Sequence, residues 1–143
     1  MPKFLTKVFI IEDDLIFGKI LQRALENEDC YEVEVFTNGK DFFERLPERP
    51  DIVSIDYNLP DMNGLDILKR VNHFDAEIGT IILSGQDKVE VVLEAFNNNA
   101  NQYLMKDEKA VVRFTNEIKN LSKHANLRKE VDSLLDQIID RNK

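Results

Sequence analysis

The sequence predicts an α/β fold: a doubly wound, five-stranded parallel sheet in the order 2-1-3-4-5, followed by a long C-terminal helix. Three observations predict it. Five short apolar or β-branched runs, at residues 7–11, 32–36, 52–55, 80–83 and 101–105, alternate with segments of helical period. Asn38-Gly39 and Gly64 punctuate the joints between them. From residue 108 to residue 143 there is no Gly and no Pro, so the chain reads as helix almost to its end.

Each element follows in order. The first run, 7–11, is a strand. Phe17, Ile20, Leu21, Ala24 and Leu25 then fall at i, i+3, i+4, i+7 and i+8, which makes one apolar helix face. After the strand at 32–36, residues 41–46 form a short helix. The strand at 52–55 precedes a helix over 65–74. The strand at 80–83 precedes a helix whose Val89, Val92, Leu93 and Phe96 repeat the helical spacing. The last strand, 101–105, leads into the long helix, where Phe114, Ile118 and Leu121 continue a core-facing stripe. Strand–helix alternation of this kind implies βαβ units, right-handed crossovers and helices on both faces of the sheet. Five strands and five helices fit a flavodoxin-like sheet, whose site lies outside the carboxyl ends of strands one and three.

Composition narrows the function. At 143 residues the chain supports one domain with a real core. It carries 19 Lys and Arg against 27 Asp and Glu, a net charge of −8, which argues against a nucleic-acid surface and favours cationic partners. A lone Cys30 excludes an intrachain disulfide and fits a reducing compartment. The apolar runs are too short to span a membrane. The stretch from Met1 to Lys7 does not read as a signal peptide, so the expected address is cytoplasmic.

Strand one runs into Glu12-Asp13-Asp14, and strand three runs into Asp56. On adjacent parallel strands these ends meet at one edge. Two unit charges about 5 Å apart repel by roughly 3 kcal/mol at an effective dielectric of about 20. An oxygen-preferring cation such as Mg²⁺ offsets that repulsion. Taken alone, Glu12-Asp13-Asp14 reads better as solvated loop or helix cap, and Asp14 does read as a cap for the helix at Leu15. The coincidence with Asp56 reverses the preference. Ser84-Gly85 and Lys106 end two further strands at the same edge. A helix cap and a surface lysine are the simpler readings of each one singly. Together the set holds a carboxylate nucleophile, a metal pair, a hydroxyl donor and an ammonium, which is what phosphoryl transfer requires.

With Glu12-Asp13, Ser84 and Lys106 in order at strand ends, the segment from Asp56 through Asn58, Pro60, Met62 and Asn63 to Gly64 resembles the Asp-x-x-x-Pro-x-x-x-Gly pattern of bacterial response regulator receiver domains, over about residues 5–123. The resemblance implies that Asp56 is the phosphoacceptor of a two-component system. It implies that Mg²⁺ is held by Asp13 and Asp56, by the backbone carbonyl of Asn58, and by Glu12 through water. Ser84 and the Gly85 N–H would bind phosphoryl oxygens. Lys106 would pair with Asp56 at rest and with the phosphoryl group afterward. Tyr103 would be the switch aromatic that responds to Ser84, against the alternative of an aromatic that only packs on the sheet edge. Side chains at Asn58 and Gln86 would flank the path of the hydrolytic water. The implied donor is a histidine kinase or a His-phosphotransfer protein. The implied output is a repacked surface of helix four, strand five and helix five, with no turnover of a separate substrate.

The chain departs from the family twice. Asp107 stands where the family usually places a proline after its lysine, so that bond is either a strained cis peptide or a rebuilt trans one. Gly85 stands where the family usually has alanine. The expected organisation is a receiver over 1–123 and a helical extension over 124–143. In the extension Leu127, Val131, Leu134 and Ile138 follow heptad d and a spacing, which offers a homodimer coil, a linker to an output domain, or a helix folded back on its own domain. Such an extension resembles receivers that precede the ATPase module of sigma-54-dependent activators. Two rivals remain. A haloacid-dehalogenase-like phosphatase would need an acid where Asn58 stands. A receiver-like interaction module would never take the phosphoryl group, and Asp107 is its one support.

Overall fold

A computed structural model of the protein describes residues 4–142. Met1 to Lys3, within the expected leader-free start and the 1–123 unit, and residue 143 of the expected extension lie outside the described residues. The strands are β1 (Thr6–Ile11), β2 (Tyr31–Phe36), β3 (Ile52–Asp56), β4 (Gly79–Ser84) and β5 (Gln102–Met105). The helices are α1 (Leu15–Glu26), α2 (Gly39–Arg45), α3 (Gly64–Phe74), α4 (Val89–Asn97) and α5 (Ala110–Arg141), with a 3₁₀ turn at Leu46–Glu48 after α2. All pairings are parallel, in the order β2-β1-β3-β4-β5. Each predicted element is present, displaced at its ends by one or two residues.

Side chains alternate along each strand, so the sheet feeds two cores. Phe9, Ile11, Val53, Ile55 and Ile82 meet Phe42 of α2, Leu65, Leu68 and Val71 of α3 and Ala95 of α4. Val8, Ile10, Ile52, Ile81 and Leu83 meet Leu21 and Leu25 of α1 and Phe114 and Ile118 of α5. The Asp14 carboxylate caps α1, accepting from the N–H groups of Ile16 at 3.0 Å and Phe17 at 3.1 Å.

The periodicity of two helices overstates what they bury. Ile20 of α1 is exposed, and so are Val89, Leu93 and Phe96 of α4. Ala95 is the buried residue of α4. This helix lies over the narrow end of the sheet, where β5 has four residues, so only part of its apolar face finds a partner.

Helix α5 crosses residue 123 without a break. Ser122 pairs with Thr6, Ala125 is buried, Arg128 forms an ion pair with Glu77 at 3.2 Å, and Lys129 reaches Asp51 at 2.9 Å and the Leu5 carbonyl at 3.0 Å. Beyond these contacts Leu134, Leu135, Ile138 and Ile139 stand in solvent.

Candidate functional site

Parallel strands end their carboxyl termini on one edge, and here that edge collects charge. Glu12 follows β1 and is 1% exposed, while Asp56 ends β3 and is 4% exposed. Asp13 stands beside them in solvent. One carboxylate oxygen from each of Glu12, Asp13 and Asp56 lies within 4.8 Å of the others. Lys106, one residue past β5, brings its Nζ to 2.7 Å from Glu12 Oε1 and 3.2 Å from Asp56 Oδ1. The same ammonium sits 5.3 Å from the centre of the Phe17 ring.

Three carboxylates against one ammonium leave the pocket over-charged. Burial, then Glu12, then Asp13 push the Asp56 carboxyl up from 3.8 to about 7, against the pull of Lys106. Burial works against the Lys106 charge, but Glu12 and Asp56 outweigh it and hold the ammonium above its usual range. Glu12 Oε1 is buried, and the Lys106 ammonium at 2.7 Å is what meets it.

The loop after Asp56 is held by backbone N–H donors. The Asn58 N–H donates to Asp56 Oδ1 at 3.1 Å. The Gly64 N–H donates to the Tyr57 carbonyl at 2.8 Å. A Cβ at Gly64 would lie 2.5 Å from the Asp56 carbonyl oxygen and 2.8 Å from Tyr57 Cα. The last glycine of the motif is therefore there because α3 begins against the backbone of the residue that opens it. Asn58 and Asn63 form an isolated bridge that closes the loop.

Ser84 is buried at the end of β4, and its Oγ accepts from the Gln86 N–H at 2.9 Å. The Lys106 N–H donates to the Ser84 carbonyl at 2.9 Å, so the hydroxyl and the ammonium are carried on one linked pair of strand ends. The Tyr103 hydroxyl donates to the Gln86 carbonyl at 2.6 Å, which ties the half-buried ring to the loop after Ser84. At Gly85 an added Cβ would meet nothing within 4 Å, so this position is open rather than crowded. No described peptide bond is cis, and the Lys106–Asp107 bond is trans. Asp107 accepts from the Lys109 N–H at 2.9 Å and pairs with Arg113 at 3.1 Å, which braces the turn into α5.

The structure thus brings together Glu12, Asp13, Asp56 and Lys106, and sets Ser84, Gly85, Asn58 and Tyr103 in the loops around them. Two participants had no sequence signal as site residues. Phe17 flanks the ammonium from α1. The exposed Asp61 accepts from the N–H groups of Gly39 and Lys40, each at 3.0 Å, and so caps α2 from the loop after Asp56. These backbone N–H donors hold its carboxyl below the usual range.

The model of the response regulator receiver domain matches residues 8–119. The chain belongs to the response regulator receiver domain family. This receiver domain is 31% identical over 102 residues to the chemotaxis protein CheY of Thermotoga maritima, covering 70% of this chain and 85% of that one. It is 34% identical over 102 residues to the transcriptional regulatory protein CrdR of Helicobacter pylori, covering 70% of this chain but 47% of that regulator. Among solved structures, the receiver domain of a putative Luxo repressor from Vibrio parahaemolyticus superposes with a TM-score of 0.81 at 22% identity, covering 90% of this chain and 98% of that one. Among the described residues of this receiver domain, no helix is long and apolar enough to cross a membrane.

Proposed function

We propose that the chain is the phosphoacceptor switch of a two-component system, taking a phosphoryl group on Asp56 from a histidine kinase or a His-phosphotransfer protein in the cytoplasm. The observation that carries this reading is the buried Asp56 carboxylate held among Glu12, Asp13 and Lys106 at the end of β3. A divalent cation fits the pocket. Its donors are all oxygens, and three carboxylates face one ammonium, so its charge is in excess. Asp13, Asp56 and the Asn58 carbonyl would hold Mg²⁺ directly and Glu12 through water, and the ion would supply neutralisation of phosphoryl charge.

Asp56 attacks phosphorus in line as the bond to the donor imidazole breaks, giving an acyl phosphate. Lys106 already lies beside Asp56 and follows the new charge. Ser84 gives up its contact with the Gln86 N–H and donates its hydroxyl to a phosphoryl oxygen, joined by the Gly85 N–H. That motion pulls the loop to which Tyr103 is tied, and the faces of α4, β5 and α5 repack. Exposed Val89, Leu93 and Phe96 on α4 and Val112 on α5 support this as the signalling face. Asn58 and Gln86 tune the later attack of water. Residues 1–123 carry the switch chemistry, and 124–143 continue α5, first along the body and then as an extension that engages a second copy.

Incubation with a small phosphodonor and Mg²⁺ should add one phosphoryl group to the intact mass, and Asp56→Asn should abolish the addition. Persistent labelling of that variant removes Asp56 from the role. No labelling of the parent chain selects the interaction-module reading.

A further inference from the structure

We infer that the acidic end of α5 docks, in a second copy of the chain, into a cation-rimmed apolar groove between α2 and α3. The inference rests on the reading of 124–143 as an association segment, and adds where that segment binds. Phe43, Leu46 and Pro47 form one wall, and Lys69, Arg70, His73 and Phe74 the other, around a cavity of about 430 Å³. Its floor is continuous with the core under α2 and α3. The Arg70 guanidinium lies 3.5 Å from the centre of the Phe43 ring, so a cation already lines the apolar wall. None of the lining residues is acidic. Lys69 pairs with Glu94 at 3.7 Å across exposed surface, and such a pair offsets little. On a chain of net charge −8 the lining of this apolar cleft holds two cations, Lys69 and Arg70, and no acid. It selects a segment that is both apolar and anionic.

The chain carries such a segment. Residues 130–140 hold Glu130, Asp132, Asp136 and Asp140 and no Lys or Arg. Leu134, Leu135, Ile138 and Ile139 of the same stretch are 50–55% exposed. Two of these stretches laid on each other would set Glu130, Asp132 and Asp136 among acids, with bases only at the flanks, Arg128, Lys129 and Arg141. The groove offers the opposite charge. A tail does not reach the groove of its own chain. Helix α5 packs with α1 on one face of the sheet, α2 and α3 lie on the other, and Arg128 and Lys129 fix its direction through Glu77 and Asp51. The groove is lined by the ends of α2 and α3, and α5 leaves the body past Glu77 and Asp51, all at the amino ends of the strands and so opposite the acidic cluster. A twofold exchange therefore pairs two tails with two grooves.

Sedimentation of the full chain over a range of concentrations tests this with two charge-reversed variants. One is Lys69→Glu with Arg70→Glu, and the other is Asp132→Lys with Asp136→Lys. Neither touches the acidic cluster, and phosphodonor labelling of Asp56 reports that each still folds. The parent chain is expected to dimerise, each variant alone to be monomeric, and their equimolar mixture to dimerise, because each tail then meets a groove of opposite charge. A dimer that survives the groove reversal but is lost in Leu134→Asp would show tails pairing with tails and would overturn the groove. A parent chain monomeric at every concentration would overturn both the docking and the association reading.

Discussion

Asp56 is the residue on which charge is least settled. Its carboxyl titrates near 7 in the fold, against an ordinary value of 3.8. Between those values the folded state binds a proton that the unfolded state has released. Stability from this group is therefore fully present below about pH 4 and is lost as pH rises toward about 7. Metal-free protein should lose thermal stability across that window, and Asp56→Asn should flatten the loss. Saturating Mg²⁺ should reverse it, because a cation favours the ionised carboxylate. Melting temperatures at several pH values, with and without Mg²⁺, check all three outcomes, and a flat profile in metal-free parent protein would contradict the crowding described for the pocket. Asp61 titrates with the opposite sign. Its carboxyl is held down by two backbone donors, so its contribution is present above the ordinary carboxylate range and is lost on acidification. Removing this cap with Asp61→Ala should cost about 1 kcal/mol at pH 7 in urea denaturation.

The start of α3 shows how an element serves the site. Its first residue, Gly64, lies where a side chain would press on the Asp56 carbonyl oxygen at 2.5 Å, and backbone there has no flexible end to yield. Gly64→Ala should therefore destabilise the fold by roughly 1–3 kcal/mol. It should also slow labelling of Asp56, since relief requires the end of β3 to move. Gly85→Ala, by contrast, enters open space and should label like the parent. Much of this was legible in the sequence. The strand ends placed Glu12, Asp56, Ser84 and Lys106 on one edge because parallel strands must finish together. The cap at Asp14 was legible because it acts on its own helix. Asp61 was not, because its partners Gly39 and Lys40 lie across the fold, and no local pattern encodes a cap supplied from another loop. The exposed face of α4 was hidden for a related reason. Periodicity reports that a helix has an apolar face, and only the sheet beneath decides how much of it is covered.

The long helix poses the question of where the folded body ends. A boundary after residue 123 divides α5 at no structural feature. Ala125 is 2% exposed, and Lys129 pairs with Asp51, whose other carboxylate contact is the Lys7 N–H at 2.8 Å. These contacts close the lower edge of β1 and β3. Past Lys129, the large apolar residues among the described ones stand in solvent. Ending the chain after Lys129 should therefore leave its melting temperature and Asp56 labelling close to those of the parent. Ending it after Leu121 removes the Ser122–Thr6 hydrogen bond, the buried Ala125 and both ion pairs to the body, a loss of roughly 2–3 kcal/mol. A lower melting temperature for the shorter chain, with Asp56 still labelled at low temperature, would show that the first turns of the extension support the sheet rather than the phosphoryl site. Equal melting temperatures for both truncations would mean that those contacts add nothing, and that the body closes without them.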